Sequence, residues 1–211
     1  MSSTAAPGPA LRALRDARDD ERAGRIGMAI EKYQSAIDAA IAAGEAPTQS
    51  EALRRLAVAM HRQLERGVAR ELCEQSFEVA HVIGDEALAA EALNTLGGFE
   101  LEAGQPGNAG DLFRRALTMS ADNPALLGRI EQNLGIIANI RGDLAAALAH
   151  YENSLAASMK ARDDSGCAIA YHNLGMISAD QHDWERADYY FDSSLALADS
   201  LGDVRLRGLC L

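Results

Sequence analysis

Aromatic residues are scarce in this chain. Four phenylalanines, five tyrosines and one tryptophan make up 5% of its 211 residues. A core with so few rings must pack smaller side chains tightly, and the abundance of alanine and leucine suits closely packed helices. Cysteine is also rare. Cys73, Cys167 and Cys210 are an odd number with no CxxC pair, which excludes a disulfide framework and points to a reduced, cytoplasmic setting. No apolar run approaches the ~20 residues needed to span a bilayer. The start, "MSSTAAPGPAL", has neither a basic beginning nor a continuous apolar segment, so it reads as a disordered lead over residues 1–10 and not as a secretory signal. Basic charge is in the minority, with 20 Lys and Arg against 31 Asp and Glu and a net charge of −11. Such a chain is a poor general partner for nucleic acid or an anionic membrane, since both repel it, although a local basic groove remains compatible with it.

Recognised catalytic patterns are missing as well. There is no HExxH, GxxxxGK[ST] or GxSxG. The glycine-rich "GQPGNAG" (104–110) has no strand before it and no lysine after it, so it reads as a connection between helices, with the second helix of that unit starting near Asn108. His61, His81, His150, His172 and His182 are scattered without metal-ligand spacing. Cys73 and Trp184 read as packing residues, and carboxylate runs such as Asp19-Asp20-Glu21 as solvated helix faces. We therefore expect no enzyme, and no catalytic, cofactor-binding or metal-binding residues.

What the chain does have is repetition. Leu56, Leu96, Leu134 and Leu174 are spaced by 40, 38 and 40 residues, each followed by a small residue: Ala57, Gly97, Gly135, Gly175. Tyr33, Cys73, Phe113, Tyr151 and Phe191 run in phase at 40, 40, 38 and 40, each preceded four residues earlier by an alanine. Gly44-Glu45, Gly84-Asp85, Arg162-Asp163 and Gly202-Asp203 mark the unit ends. Apolar residues recur at three and four, as in Ile130, Leu134 and Ile137, and strand-like alternation appears nowhere. Each unit is therefore two helices, with Asp143 and Asp183 placed to cap second helices and Asn123-Pro124 and Thr48-x-x-Glu51 placed to start first ones. The units run approximately 11–47, 48–86, 87–124, 125–164 and 165–203, with a partial unit at 204–211, in a single domain over 11–211. Asp16 breaks the leucine series in the first unit, which reads as an atypical cap.

Leu134, Gly135, Gly142, Asp143, Ala147, Tyr151 and Ser154 carry the pattern by which the chain resembles the tetratricopeptide repeat (TPR) family, in a long form with units of ~40 residues. The resemblance implies an all-α, right-handed α-solenoid of about five helical hairpins plus an unpaired C-terminal helix. It also implies a concave face, lined by first helices, that binds peptide segments.

Helical angles give the residues on that face: Arg54, Arg55, His61 and Arg62; Asn94; Arg129, Gln132, Asn133 and Asn139; His172 and Asn173. Arg15, Arg18 and Arg22 join them if the first unit keeps register. Guanidinium forks suit carboxylates, and side-chain amides suit an extended backbone. The competing expectation is a solvated face on which arginines pair with local glutamates, Glu51 lying one turn before Arg54 and Arg55. The leading functional expectation is a non-catalytic, cytoplasmic protein–protein interaction scaffold that binds a peptide segment, acidic in character, of a protein partner. The alternatives are an N-terminal sensory or regulatory module of a longer bacterial signalling protein or transcription regulator, with its effector domain beyond residue 211, and a peptide-responsive regulator. Nucleic acid, membrane and cofactors are not expected partners. Self-association through the apolar C-terminal helix is a further option.

Overall fold

The computed structural model describes residues 8–120 and 122–209. Every regular element among them is an α-helix: α1 (Pro9–Arg22), α2 (Ile26–Ala43), α3 (Ala46–Arg62), α4 (Arg66–Val82), α5 (Glu86–Glu102), α6 (Pro106–Thr118), α7 (Pro124–Ile140), α8 (Leu144–Ala161), α9 (Asp164–Asp180), α10 (Trp184–Leu201) and α11 (Val204–Leu209). The chain divides into two compact units, residues 1–103 and 104–211. In the first, α1 packs on α2 and α3 on α4, and the first helices α1, α3 and α5 touch in succession. In the second, α7 packs on α8 and α9 on α10, while α7, α9 and α11 touch in succession. Each pair covers its neighbour's apolar side, the economy of a stacked repeat.

Short, regular turns make the pairs. Within hairpins the left-handed position falls at Gly24, Leu64, Gly104, Gly142 and His182; between them it falls at Gly44, Gly84, Arg162 and Gly202. After each of Gly84, Arg162 and Gly202 comes an aspartate whose carboxylate accepts an amide of the next helix: Asp85 from Leu88, Asp163 from Gly166, Asp203 from Leu206. A left-handed C-cap followed at once by an N-cap leaves no loop to order. Asn123, Asp143 and Asp183 cap α7, α8 and α10 in the same way, as expected.

The repeated residues form the core. Leu56, Leu96, Leu134 and Leu174 are 1–6% exposed, and the alanines Ala29, Ala69, Ala109, Ala147 and Ala187 are 0–2% exposed. A Cβ added at Gly135 would come within 2.5 Å of the Tyr151 ring, and one at Gly175 within 2.7 Å of Phe191. Small residue and ring are therefore one device: the missing side chain is the space the aromatic fills. Where the first helix keeps a methyl, Ala57, its partner shrinks to Cys73, fully buried, with its Sγ donating to the Ala92 carbonyl. Serines add a polar fastening three residues after the ring. Ser76 Oγ donates to the Ser50 carbonyl, Ser154 to Gly128 and Ser194 to Ala168, at 2.7–2.8 Å and all buried.

Several expectations change. Residues 1–7 of the expected lead lie outside the described residues, and Pro9 and Ala10 already belong to α1. Thr48 does not open α3. That helix starts at Ala46 with Pro47 in its first turn, and the Thr48 hydroxyl donates to Glu45 inside it. Proline likewise starts α6 at Pro106, before Asn108, because its fixed φ suits a first turn and its missing N–H costs nothing there. Trp184 is 61% exposed and leans on His182, so it is not a core residue. Asp16 is exposed while Leu14 and Ala17 are fully buried, so α1 keeps the small residue of the series and turns its broken leucine position to solvent. In α11, Leu206 is 3% exposed against Ala168 and Ala198; Cys210 and Leu211 lie outside the described residues.

Candidate functional site

In residues 1–103 the polar face is built on α1, α3 and α5. Offsets of about 100° per residue put Arg18, Glu21 and Arg22 of α1 beside Arg55 and Arg62 of α3, and these five line a pocket of about 460 Å³. Glu21 is its centre. Its carboxylate accepts from Arg62 Nη1 at 3.1 Å and from the Tyr33 hydroxyl at 2.6 Å, and lies 4.0 Å from Arg55 Nη1. Burial, and then the hydrogen bond to Glu21, push the Tyr33 phenol well above its ordinary range, so it remains a donor. Arg18 pairs with Glu51, and Arg22 with Asp19 at 3.1 Å. Burial, followed by the nearby Arg55 guanidinium, pulls Arg18 below its ordinary range. The Nε atoms of Arg18 and Arg55 are buried without a hydrogen-bond partner among the described residues.

The other expected residues of this unit are placed differently. Arg54 is 9% exposed and ion-pairs with Glu91 of α5 at 3.5 Å, so it fastens two helices and does not present a free fork. His61 stacks on Phe99 with centroids 4.2 Å apart and sits 3.7 Å from Glu102. Asn94 is half-buried on α5. Glu51 of α3 pairs with Arg18 of α1. Arg18, Arg54, Arg55 and Arg62 pair across helices, with Glu51, Glu91 and Glu21, whereas Arg22 pairs with Asp19 within α1.

In residues 104–211, Gln132 and Asn133 of α7 and His172 and Asn173 of α9 are half-buried on adjacent first helices, while Arg129 and Asn139 are exposed. His172 Nδ1 and Asn173 Nδ2 are buried without a hydrogen-bond partner among the described residues. Burial holds the His172 imidazole below its ordinary pKa, which favours the neutral ring that can both donate and accept. Met176 and Ile140 stand exposed at 48% and 58%, so this face offers amides and an imidazole among apolar side chains. It carries no excess positive charge comparable to the arginine pocket.

Sequence reasoning missed Glu21 and Tyr33. Glu21 sat in a carboxylate run read as solvated, and Tyr33 in the packing series. The only signal was Glu21's place on the face shared with Arg18 and Arg22. Among the described residues no group of three or more His, Cys, Asp or Glu could hold a metal ion, and no helix is long and apolar enough to cross a membrane.

The family model "Tetratricopeptide repeat" matches residues 126–200. No curated protein sequence matches the chain. Among solved structures, BtubC from P. vanneervenii aligns at a TM-score of 0.65 and 17% identity over 93% of this chain and 91% of that one. A Rap protein complexed with Competence and Sporulation Factor aligns at 0.77 and 12%, over 98% of this chain and 64% of that one. Aspartyl phosphate phosphatase F from Bacillus subtilis aligns at 0.76 and 16%, over 92% and 51%. The chain thus spans about half to two thirds of the length of these last two proteins, and at such identities the likeness is one of fold. Stacked hairpins, the left-handed turns and the small-residue-to-ring packing agree with both comparisons: residues 126–200 are tetratricopeptide repeats, and the chain as a whole has the fold of a TPR-like helical repeat protein.

Proposed function

We propose that this chain is a non-catalytic protein-interaction scaffold that holds an extended segment of a partner protein against the polar faces of its first helices. The observation that carries the reading is the set of half-buried polar side chains on those helices: Arg55 in residues 1–103, and His172 and Asn173 in residues 104–211, each with a buried nitrogen lacking a hydrogen-bond partner among the described residues. Such groups pair well with the carbonyls and carboxylates of an extended chain. The arginine pocket favours an acidic segment. A reducing compartment suits Cys73 and Cys167, both buried and unpaired, with burial pushing the Cys73 thiol up to about 12.

Arg54 is too buried to be a useful probe, so the test falls on Arg55 and Arg62. A partner is recovered by pull-down with the intact chain, and its affinity for the double variant Arg55→Glu, Arg62→Glu is measured against salt. Because removing a charged hydrogen-bonding partner costs about 2 kcal/mol or more, affinity should fall at least about tenfold and its salt dependence should flatten. Unchanged affinity in the double variant discards the reading for this face. A second reading, the sensory part of a longer signalling protein, is supported by the partial coverage of the Rap protein and the phosphatase. Continuation of the reading frame past Leu211 into an effector domain would favour it.

A further inference from the structure

Within the arginine pocket the cations are unequally satisfied. Arg62 donates to Glu21, Arg18 is paired with Glu51 and Arg22 with Asp19. Arg55 forms a 4.0 Å ion pair with Glu21, and its Nε is buried without a hydrogen-bond partner among the described residues. Its side chain is 35% exposed, so water reaches part of the fork while Nε is shut away. Glu21 already accepts from Arg62 and the Tyr33 hydroxyl, and at 4.0 Å it stands beyond hydrogen-bond reach of Arg55 Nη1. The pocket therefore has its own carboxylate and still presents the part-exposed Nη side of Arg55 together with the side chains of Arg22 and Arg62, which are 76% and 55% exposed.

A second carboxylate would bring one negative charge and two oxygens in one plane. A phosphoryl monoester brings nearly two charges at neutral pH and three oxygens in a tetrahedron, and can take donors from several sides at once. Donors here come from two helices, α1 and α3, on different sides of the pocket. With a volume of about 460 Å³ the pocket also has room for the side chain that carries the group. Resting on the interaction reading above, we propose that the pocket between α1 and α3 is a seat for a phosphorylated serine or threonine of the partner segment. Arg55 is its principal bidentate donor and Glu21 the internal carboxylate that holds Arg62 in place. An anion of two charges gains more from the same guanidiniums than an anion of one, and the gain is largest in a partly desolvated site.

The test uses the full chain and reads the side-chain Nε–Hε resonances of Arg18 and Arg55 by NMR. The probes are capped five-residue peptides with a central phosphoserine, aspartate or serine, and inorganic phosphate, all at matched ionic strength. The phosphoserine peptide should shift both resonances saturably and bind at least about tenfold more tightly than the aspartate peptide, with the serine peptide silent. Arg55→Gln should lower the phosphoserine affinity about tenfold or more, Arg55→Lys should lower it less because it keeps the charge without the fork, and Arg205→Gln on α11 should leave it unchanged. Helical circular dichroism separates loss of binding from loss of fold, and the lysine variant serves if the glutamine variant is unstable. Equal affinity for phosphoserine and aspartate, absence of saturation, or indifference to both Arg55 variants overturns the proposal. Inorganic phosphate binding as tightly as the phosphopeptide would assign the seat to a free anion and overturn the peptide source. If a captured partner binds equally well after phosphatase treatment, the phosphate seat fails while the scaffold stands. If the phosphopeptide binds but no partner depends on these faces, the scaffold fails while the seat stands.

Discussion

Leu64 occupies a place where three of the five hairpins carry glycine. The within-hairpin turn is left-handed at Gly24, Gly104 and Gly142, and also at Leu64, with φ 66°, and His182, with φ 61°. A side chain in this region crowds the following carbonyl at a cost of about 1–2 kcal/mol. Leu64 is 77% exposed, so little packing offsets the strain. Leu64→Gly should therefore raise stability by about 0.5–1 kcal/mol after the entropy of the freer unfolded chain is subtracted, read as a higher urea midpoint at unchanged slope. Asp20 is the opposite case, a buried carboxylate held between the two cations Arg25 and Lys32. Hydrogen bonds from Lys32 and then Arg25 hold its pKa below the ordinary aspartate value. A depressed folded-state pKa gives stability that is present above the unfolded value of about 4 and is lost as pH falls through the folded one. Thermal scans should show the wild type losing stability below about pH 4 more steeply than Asp20→Asn.

Among the elements, the helix pairs were the most legible part of the sequence, because their determinant is local and periodic. A leucine with a small residue after it, and an alanine one turn before a ring, state which faces meet. Gly135 shows how strictly. A Cβ there would overlap the Tyr151 ring, whereas one at Gly98 of α5 would meet nothing within 4 Å. Helix propensity alone favours alanine at both by up to about 1 kcal/mol. Gly98→Ala should gain about that much, and Gly135→Ala should instead lose about 1–2 kcal/mol to overpacking, in paired denaturation curves. The candidate site was legible only in part, for a physical reason. Arg55 and Arg62 follow from the angle of one helix, and Arg18 and Arg22 from the same rule one unit earlier. That Glu21 and Tyr33 complete the pocket depends on how α1 packs on both α2 and α3, which no spacing within a single helix states. Trp184 was misplaced because its neighbour Asp183 caps the helix correctly; a cap fixes where a helix begins and leaves open which way its first residue points.

At the scale of the whole molecule, charge and fold divide the work. A net charge of −11 opposes general attraction to acidic polymers, while four arginines of α1 and α3 gather around one pocket in residues 1–103. The fold is nearly indifferent to this local chemistry, since it rests on alanine, leucine and glycine and on short turns. That separation explains why the likeness to BtubC, a Rap protein and the phosphatase is strong in shape and slight in sequence.

The buried serines carry one more consequence. Helices surfaced mainly by methyl groups are smooth, and apolar attraction scarcely resists a slide along the axis. A hydroxyl that must find one particular carbonyl acts as a detent: shifting Ser154 by a turn from Gly128, or Ser194 from Ala168, strands a polar atom where no water waits. The alignment of each such hairpin is thus indexed by a single oxygen, leaving the outward side chains free to change without disturbing the gauge.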